Sequence, residues 1–527
     1  SDSQNAESVI QFGIAEAAAG RHLQALRAFE QVLAIKPDAG VVYRLAGEQA
    51  KCAGDIPLAV DYLQMAIHYL PEDANTKLLL ARVHLDVRQP ERAVGILHEL
   101  SSQNPADSQI SFEVARCSYL RGDILGAAQC LESVLAGQPD SPFALNLLGL
   151  IRARDLGNLD AGEDLIRKAL EIRPGFAAAM SNLGWILAER GNLTEAIRLF
   201  DLVLVANPED AETRLMCAHA KLKRGLFRDG WGDFGFRHAS PLAIRRHEVT
   251  TSYPVNGHPP SDRRLLVLSE QGIGDQIMFA SCIPDLIADR NQITLECHSK
   301  LHDLFARSFP LCRISSARSP VAATKLREDL DFQLYIGDLP GMYRNEPDDF
   351  PIHSGYLVPD PQKVRRWRAR LDALGNGPYI GVSWRGGTDA TRRGLRSIPP
   401  KEWTPLLALS GQYVSLQYGE CTNDLRKFHE MGIPVHHWQE LIDDYDDTAA
   451  LLMSLDCLVS VCTSVVHLAG ALGRPAHVLT PAQAEWRYQD RGSRMPWYPS
   501  VRLYRQTEAG IWQTVMSQVA NVLHRSN

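Results

Sequence analysis

The segment NLGWILAERGNLTEAIRLFDLVLVANP, residues 182–208, carries the pattern that decides the fold of the first half of the chain. Gly184 and Ala196 are small residues in its two helical stretches, and Pro208 closes the second stretch. Prolines recur at positions 37, 71, 105, 139, 174 and 208, with spacings of 34, 34, 34, 35 and 34 residues. Such a fixed period predicts a stack of helix pairs.

This period is that of the tetratricopeptide repeat. The eighth position of successive repeats is always small: Gly13, Gly47, Ala81, Ala115, Gly149, Gly184 and Ala218. The twentieth position is small as well: Ala25, Ala59, Ala93, Ala127, Gly162, Ala196 and Gly230. Small side chains are required where the two helices of a pair approach closely. We expect the single extra residue of the fifth repeat in the turn ARDLGNLD, residues 153–160, because loops tolerate insertions best.

We therefore predict an all-α tetratricopeptide-repeat superhelix over residues 1–238, whose concave face holds a protein partner. Dimerisation or a spacer role is the alternative. Trp231, Phe234 and Phe236 are expected to cover the end of the superhelix against the next domain. Residues 239–262 lack periodicity and are rich in Pro, Ser and Thr, which indicates a linker.

Composition narrows the class of protein. The chain has 527 residues, of which 45% are hydrophobic and 22% charged, as in ordinary globular proteins with several domains. Its net charge of -7, without long runs of one sign, argues against nucleic-acid binding. The ten cysteines form no C-x-x-C pair, so neither a zinc site nor a disulfide framework is expected. Because no apolar membrane span or signal core is found, we expect a cytoplasmic protein.

The second half of the chain has the sequence pattern of an α/β fold. Short apolar runs alternate with helical stretches at residues 265–269, 293–297, 331–337, 379–384, 413–417, 457–461 and 476–479, which is typical of parallel sheets. We predict two Rossmann-like lobes, an N-terminal lobe over 263–360 and a C-terminal lobe over 361–527. Ligands of such sheets bind beyond the carboxyl ends of the strands.

The first candidate motif is LLVLSEQGIGDQIMFA, residues 265–280. Gly272 and Gly274 allow a ligand to approach the backbone, and a helix N-terminus favours an anion. Asp275 is interpreted either as a helix cap or as a catalytic base. Glu270 and Asp338 are reserve candidates for that base.

Two further motifs follow strands of the second lobe. GVSWRGGTDATRRGLRSIP, residues 381–399, provides Arg385, Arg392, Arg393 and Arg396 beside glycines, which suits a diphosphate; a solvated basic loop is the alternative, chiefly for Arg392 and Arg393. In the stretch 455–479, Thr463 and Ser464 stand at a helix start, with His467 one turn further. His467 is interpreted as a phosphate contact or as a satisfied core residue.

Together these motifs resemble the ADP-heptose:lipopolysaccharide heptosyltransferase family, and more closely bacterial proteins that join such a domain to tetratricopeptide repeats. The matching stretches are EQGIGDQIMF (270–279), RSIP (396–399), VSLQYG (414–419), HLAGALGRP (467–475) and PWYPSVRLYRQ (496–506). The resemblance implies a GT-B fold, with the acceptor side in the lobe over 263–360 and the nucleotide-sugar side in the lobe over 361–527. It also implies an inverting, metal-independent transfer with Asp275 as base. Donor contacts are expected from Gly272, Gly274, Trp384, Arg385, Arg396, Gln417, Thr463, Ser464 and His467. No cofactor is expected, since the nucleotide-sugar is a co-substrate.

The functional prediction is a glycosyltransferase that modifies a protein hydroxyl, with the repeats recruiting the acceptor; some proteins of this type act on flagellin. One alternative is transfer to a glycan or to lipopolysaccharide. Another is a non-catalytic scaffold, because Cys462 stands where heptosyltransferases typically have an aspartate. Deleting residues 1–236 is predicted to abolish protein modification and to leave donor binding intact.

Overall fold

The computed structural model describes residues 2–238, 261–270, 272–316, 330–387, 393–439 and 444–526. Most of the expected linker, residues 239–260, lies outside this described part. The chain divides into two compact units, Ser1–Ile186 and Leu187–Asn527, and the boundary falls within one helix. Among the described residues, no helix is both long and apolar enough to span a membrane.

The N-terminal region is an all-helical tetratricopeptide-repeat superhelix of seven helix pairs, as the proline period predicts. The helices are α1 Asp2–Ala18, α2 His22–Ile35, α3 Gly40–Cys52, α4 Ile56–Tyr69, α5 Ala74–Asp86, α6 Pro90–Gln103, α7 Ser108–Leu120, α8 Ile124–Gly137, α9 Pro142–Leu150, α10 Leu159–Ile172, α11 Ala177–Glu189, α12 Leu193–Ala206, α13 Ala211–Arg224 and α14 Phe227–Phe234. The turn inside each pair needs one left-handed residue, which is Gly in six pairs and Arg88 (φ 56°) in the third.

The small residues have the steric cause that the sequence suggests. A Cβ atom at Gly162 would lie 2.6 Å from the carbonyl oxygen of Gly149, so these two helices pack backbone against backbone. A Cβ atom at Gly47 would lie 2.7 Å from the Leu63 side chain. Any larger residue at these positions would force the helices of a pair apart.

The extra residue of the fifth repeat is accommodated differently from the expectation. The turn does not absorb it alone: α9 continues into a π-helical turn, Ile151–Asp155. A π turn places one additional residue in a helical turn without breaking the helix, so Ile151 and Ala153 stay buried in the repeat core.

The C-terminal region is α/β and contains two largely parallel sheets. The first has the order β3-β2-β1-β4 and the second β10-β11-β9-β8-β5-β6-β7, in which only the β10–β11 pairing is antiparallel. The strands are β1 Arg264–Leu268, β2 Gln292–Cys297, β3 Arg313–Ser316, β4 Phe332–Tyr335, β5 Tyr379–Ser383, β6 Gln412–Ser415, β7 Val435–His436, β8 Cys457–Val461, β9 Ala476–Thr480, β10 Arg494–Met495 and β11 Tyr498–Arg505. The helices are α15 Ile273–Phe279, α16 Ile283–Ala288, α17 His302–Ser308, α18 Pro340–Tyr343, α19 Pro361–Asp372, α20 Thr404–Leu407, α21 Thr422–Glu430, α22 Tyr445–Ser454, α23 Ser464–Ala471 and α24 Gln513–Ser526.

All seven apolar runs chosen from the sequence form strands, and the described residues contain four further strands that the sequence analysis did not predict. Of these, β11 is the longest. It alternates buried Val501 and Leu503 with exposed Arg502, and Pro499 obscures its beginning.

The core of the second unit includes the last repeat. Trp231 of α14 packs edge-on against Trp486 and Trp497, with ring centroids 5.5 and 6.1 Å apart, and donates a hydrogen bond of 2.8 Å to the Arg344 carbonyl. Phe234 joins this cluster, as expected, whereas Phe236 lies instead under the Arg214 guanidinium at 4.1 Å. The end of the repeats is thus part of the α/β core.

Candidate functional site

The second sheet has a topological switch point between β5 and β8. These strands are adjacent, but the chain leaves β5 towards β6 and leaves β8 towards β9, on opposite sides. Ligands bind at such points in open parallel sheets. A Cβ atom at Gly386 would lie 2.6 Å from the Cys462 carbonyl oxygen and 3.0 Å from the Thr463 methyl group. The loops after β5 and β8 are therefore in contact, and two of the predicted motifs meet there.

Trp384 and Gln417 hold the end of β5 in place. Both are buried. The Gln417 Oε1 atom accepts hydrogen bonds from the backbone N–H groups of Trp384 (3.0 Å) and Arg385 (2.8 Å), while its Nε2 donates to the carbonyls of Arg385 (3.1 Å) and Tyr418 (3.0 Å). The Trp384 indole N–H donates to Asp424 at 2.9 Å. These two side chains fix the loop by internal hydrogen bonds.

The Arg385 guanidinium is held on the α21 side of this loop. Its Nε lies 3.2 Å from the Asp424 carboxylate, and one Nη donates to the Glu420 carbonyl. Nearby, the Arg393 Nε donates to the Gly387 carbonyl at 3.3 Å. Arg392 lies outside the described residues. The basic loop therefore presents Arg385 with about a third of its side chain exposed, 32%.

At the start of α23, the hydroxyls of Thr463 and Ser464 both have partners. Thr463 is the N-cap residue and its hydroxyl lies 3.2 Å from that of Ser460. The Ser464 hydroxyl lies 2.5 Å from the Tyr445 hydroxyl, on α22. The free N–H groups of the first helical turn point out of the helix at this end, as at any helix N-terminus, and favour an anion.

His467 is buried one turn into α23. Its Nδ1 lies 3.2 Å from the Tyr498 hydroxyl. Burial, with a further contribution from Arg487, lowers the pKa of His467 to about 3. The imidazole is therefore neutral at physiological pH, so it offers a hydrogen bond and no positive charge.

The glycine loop of the first sheet meets this helix. Gly272 is the N-cap of α15 and Asp275 lies in its first turn. A Cβ atom at Gly274 would lie 3.2 Å from the His467 ring and 3.5 Å from the Ser464 Cβ. The N-terminal turns of α15 and α23 thus pack against one another, and Gly274 permits the close approach. All three predicted motifs are brought to one place.

Sequence reasoning missed the residue that holds Asp275. Arg487 donates from Nε (2.7 Å) and Nη2 (2.5 Å) to Asp275 Oδ1, and from Nη1 to Glu485 Oε2 at 2.7 Å. The other Glu485 oxygen lies 3.2 Å from Nη1 of Arg396. This array of alternating charges, Asp275–Arg487–Glu485–Arg396, joins the two sheets. Arg487 lies in the loop after β9, at another strand end, and this position is the sequence signal that could have marked it as a site residue.

Cys462 lies beside this array. Burial, with the neighbouring Glu485 carboxylate, raises the pKa of the Cys462 thiol to about 12. The thiol is therefore neutral. A negative charge is present in this neighbourhood all the same, carried by Glu485.

The two reserve candidates for a base lie elsewhere, at the switch point of the first sheet between β1 and β4. Arg237, just beyond α14, forms ion pairs of 2.7 Å with both Glu270 and Asp338. All three side chains are largely buried. The end of the repeat region thus fills this switch point with an arginine, which pairs with both carboxylates. Among the described residues, no group of acidic, His or Cys side chains is arranged to hold a metal ion.

The first unit carries an aromatic ladder across successive repeats. The ring of Phe143 lies 6.3 Å from that of Phe112 and 5.1 Å from that of Phe176. The Arg173 guanidinium lies over Phe143 and Phe176, at 5.5 and 5.3 Å. Phe143 is 47% exposed, so the ladder presents one apolar ring to solvent between two half-buried ones.

Comparison with known proteins supports the repeat assignment. Residues 53–111 and 147–211 match tetratricopeptide-repeat family models. The chain is 27% identical to protein FlbA of Caulobacter vibrioides, over 92% of this chain and 84% of FlbA. It is 28% identical to a TPR repeat-containing protein of Pseudomonas aeruginosa, over 30% of this chain and 27% of that protein.

Two solved structures illustrate the similarity to known folds. The Cut9–Hcn1 hetero-tetramer of APC/C has 18% identity and a TM-score of 0.39, covering 44% of this chain and 46% of that one. The type IV pilus biogenesis factor PilW has 19% identity and a TM-score of 0.34, covering 40% of this chain and 96% of PilW. Both TM-scores are too low to support an argument about this chain.

Proposed function

We propose that this chain is a GT-B glycosyltransferase that transfers a sugar from a nucleotide-sugar to a hydroxyl of a protein held by its repeats, in the cytoplasm. The observation that carries the proposal is the meeting of two helix N-termini, α15 and α23, each of which follows a parallel strand. One carries Asp275 and the other Thr463 and Ser464. This arrangement provides a carboxylate and an anion site side by side.

In this proposal the donor diphosphate lies against the first turn of α23. The N–H groups of that turn and the arginines of the β5 loop, Arg385 and Arg396, stabilise the negative charge that develops on the leaving phosphate. His467, being neutral, contributes a hydrogen bond at most. Gly272 and Gly274 add no side chain of their own to the facing helix start.

The chemical step is a single displacement. The acceptor oxygen attacks the anomeric carbon from the face opposite the phosphate, the bond from this carbon to the phosphate oxygen breaks, and the nucleoside diphosphate leaves with that electron pair. Asp275 accepts the hydroxyl proton as the new bond forms. The configuration at the anomeric carbon is inverted.

The repeats provide the acceptor site. Tetratricopeptide repeats typically bind protein partners, and the ladder of exposed Phe143 with half-buried Phe112 and Phe176 offers apolar contacts beside the positive charge of Arg173. Flagellin is the acceptor class we propose first, because of the resemblance to repeat-fused transferases of that type.

The decisive experiment begins with binding. A thermal-shift screen of the protein against nucleoside diphosphates and nucleotide-sugars identifies the donor, since a ligand that binds only the folded state stabilises it. With this donor, Asp275→Asn is expected to lower turnover roughly 100-fold to 10,000-fold, as loss of a general base does, with little change in donor affinity. Asp303→Asn is the matched control, because Asp303 is 80% exposed and pairs only with His302 among the described residues. Normal turnover in Asp275→Asn would refute the base assignment.

Two other functions are the alternatives, and observations favour the first of them. A non-catalytic scaffold is favoured by the uncharged Cys462 and by the ion pair that engages Asp275. It predicts that no nucleotide-sugar shifts the melting temperature or is hydrolysed. Transfer to a glycan or lipid acceptor predicts full activity on that acceptor after the first five repeats are removed.

A further inference from the structure

Arg487 reaches Asp275 from the opposite sheet. Asp275 lies on α15, directly after β1, whereas Arg487 lies in the short 3-10 turn Trp486–Tyr488, which follows β9. Two N–H groups of the guanidinium donate to one carboxylate oxygen, Oδ1, at 2.7 Å from Nε and 2.5 Å from Nη2. The contact joins the two sides of the candidate site through charge-assisted hydrogen bonds.

The guanidinium is itself held on three sides. Glu485 accepts from its Nη1 at 2.7 Å, and the Trp486 ring lies 4.7 Å from the guanidinium carbon. Arg396 holds Glu485 in turn at 3.2 Å. Burial lowers the pKa of Arg487, but Asp275 and Glu485 outweigh burial and leave that pKa raised. Arg487 is therefore a fixed, permanently charged group.

The two oxygens of Asp275 consequently differ. Oδ1 is engaged by Arg487. Oδ2 points back over the start of α15, 2.7 Å from the place where a Cβ atom of Gly272 would be. A side chain at position 272 would collide with this oxygen, so the glycine leaves that side of Oδ2 uncovered, and 28% of the Asp275 side chain is exposed.

We infer that Arg487 is a positioning residue for the proposed transfer: it orients Asp275 so that Oδ2 accepts the proton of the acceptor hydroxyl. This inference rests on the proposed function. Fixing the base in advance lowers the cost of reaching the reactive geometry, and a carboxylate free to rotate would lose much of that gain. Arg487 acts on turnover through Asp275 and not by binding the donor.

The test compares Arg487→Met with Arg487→Lys, using Arg491→Met as matched control because Arg491 lies four residues away and is 76% exposed. Arg487→Met is expected to lower kcat about 100-fold, the scale of a misplaced catalytic group, while KM for the donor and the Kd of the nucleoside diphosphate stay within about twofold. Arg487→Lys keeps the charge but loses the fork of donors, so it recovers about tenfold of that loss. The control keeps full activity.

Each contrary result is informative. If Kd for the nucleoside diphosphate weakens in step with kcat/KM, Arg487 binds the donor and the inference is wrong. If kcat is unchanged, the inference is also wrong. Wild-type protein and Asp275→Asn are measured alongside: an inactive wild type overturns the proposed function, whereas an active wild type with normal Arg487 variants overturns only the positioning role. If the melting curve shows that Arg487→Met does not fold, Arg487→Lys is the test instead. A lower kcat with an unchanged Kd for the nucleoside diphosphate then supports the positioning role, and any other result contradicts it.

Discussion

The two compact units of this chain are stabilised in different ways. In the first unit, each repeat interacts mainly with the next repeat along the chain. For example, Arg116 of α7 pairs with Asp86 of α5 at 2.6 Å, and Asp86 also pairs with Lys51 of α3 at 2.7 Å. In the second unit, Trp231, Phe279 and Trp486 come from distant parts of the sequence and meet in one core. A period in sequence predicts contacts of the first kind, and nothing local predicts those of the second.

This comparison is tested most strongly by truncation. A chain that starts at Ala177 keeps α11–α14 and is expected to fold and to bind nucleotides, while losing modification of the protein acceptor. A chain that starts at residue 239 lacks Trp231, Phe234 and Arg237, so it is expected to aggregate or to remain unfolded. Deleting residues 1–236, the experiment that the sequence suggests, therefore removes part of the second core as well. Circular dichroism and thermal-shift measurements on both truncated chains decide; cooperative folding of the shorter chain would show that the last repeat is dispensable.

A single substitution should lower the stability of the second unit and leave that of the first unchanged. Trp231→Ala is expected to destabilise the second unit by about 3–5 kcal/mol, since it removes a buried indole and leaves a cavity. The first unit should unfold as before. Urea unfolding monitored by hydrogen exchange resolves the two regions, and Phe12→Ala, a substitution of an exposed ring in α1, serves as control. Equal loss of stability in both units would contradict their separation.

Acid should affect the second unit through neutral histidines that are buried or half-buried. Burial lowers the pKa of His219 to about 4 and of His477 to about 4, as it does for His467. Because the folded pKa lies below the unfolded value of about 6.5, the unfolded state binds more protons in this window, so stability is full above pH 6.5 and falls as the pH drops towards 4. Each histidine contributes about 1.4 kcal/mol per pH unit to that slope. Denaturant unfolding at pH 7 and pH 5 should show a shallower slope in His219→Asn; an unchanged slope would contradict the prediction.

The smallest effect on stability is expected in the aromatic ladder. Phe143→Ser should change the stability of the first unit by less than about 1 kcal/mol, because the ring is half exposed. Its effect on binding should be larger, about tenfold in the Kd of purified flagellin, as for an aromatic interface residue. Phe12→Ser, at another exposed ring of the same unit, is the control. Calorimetric titration of each variant gives the result, and equal Kd values for all would remove the ladder from the acceptor site.

Much of the candidate site could be predicted because the carboxyl ends of parallel strands lie at the same edge of a sheet. The sequence predicts Arg385, Thr463 and Asp275 as site residues because each follows a predicted strand, and all three strands are confirmed. The interactions of the individual side chains could not be predicted from the sequence. Gln417 turns its amide inward to the β5 loop, and Glu270 and Asp338 are paired with Arg237, which comes from the repeat region. Such pairings depend on residues far away in sequence.

The sequence by itself determined the seven repeats, the small residues at their close contacts and the parallel α/β character of the second half. These features follow from local periodicity, in which each residue constrains neighbours within one helix pair or one strand. Only the tertiary structure decided that Arg487 holds Asp275, that Arg237 fills the switch point of the first sheet, and that Trp231 packs on Trp486 and Trp497. The physical reason is that ion pairs and aromatic packing depend on distance in space, and no repeat or motif encodes which distant side chain will lie within reach.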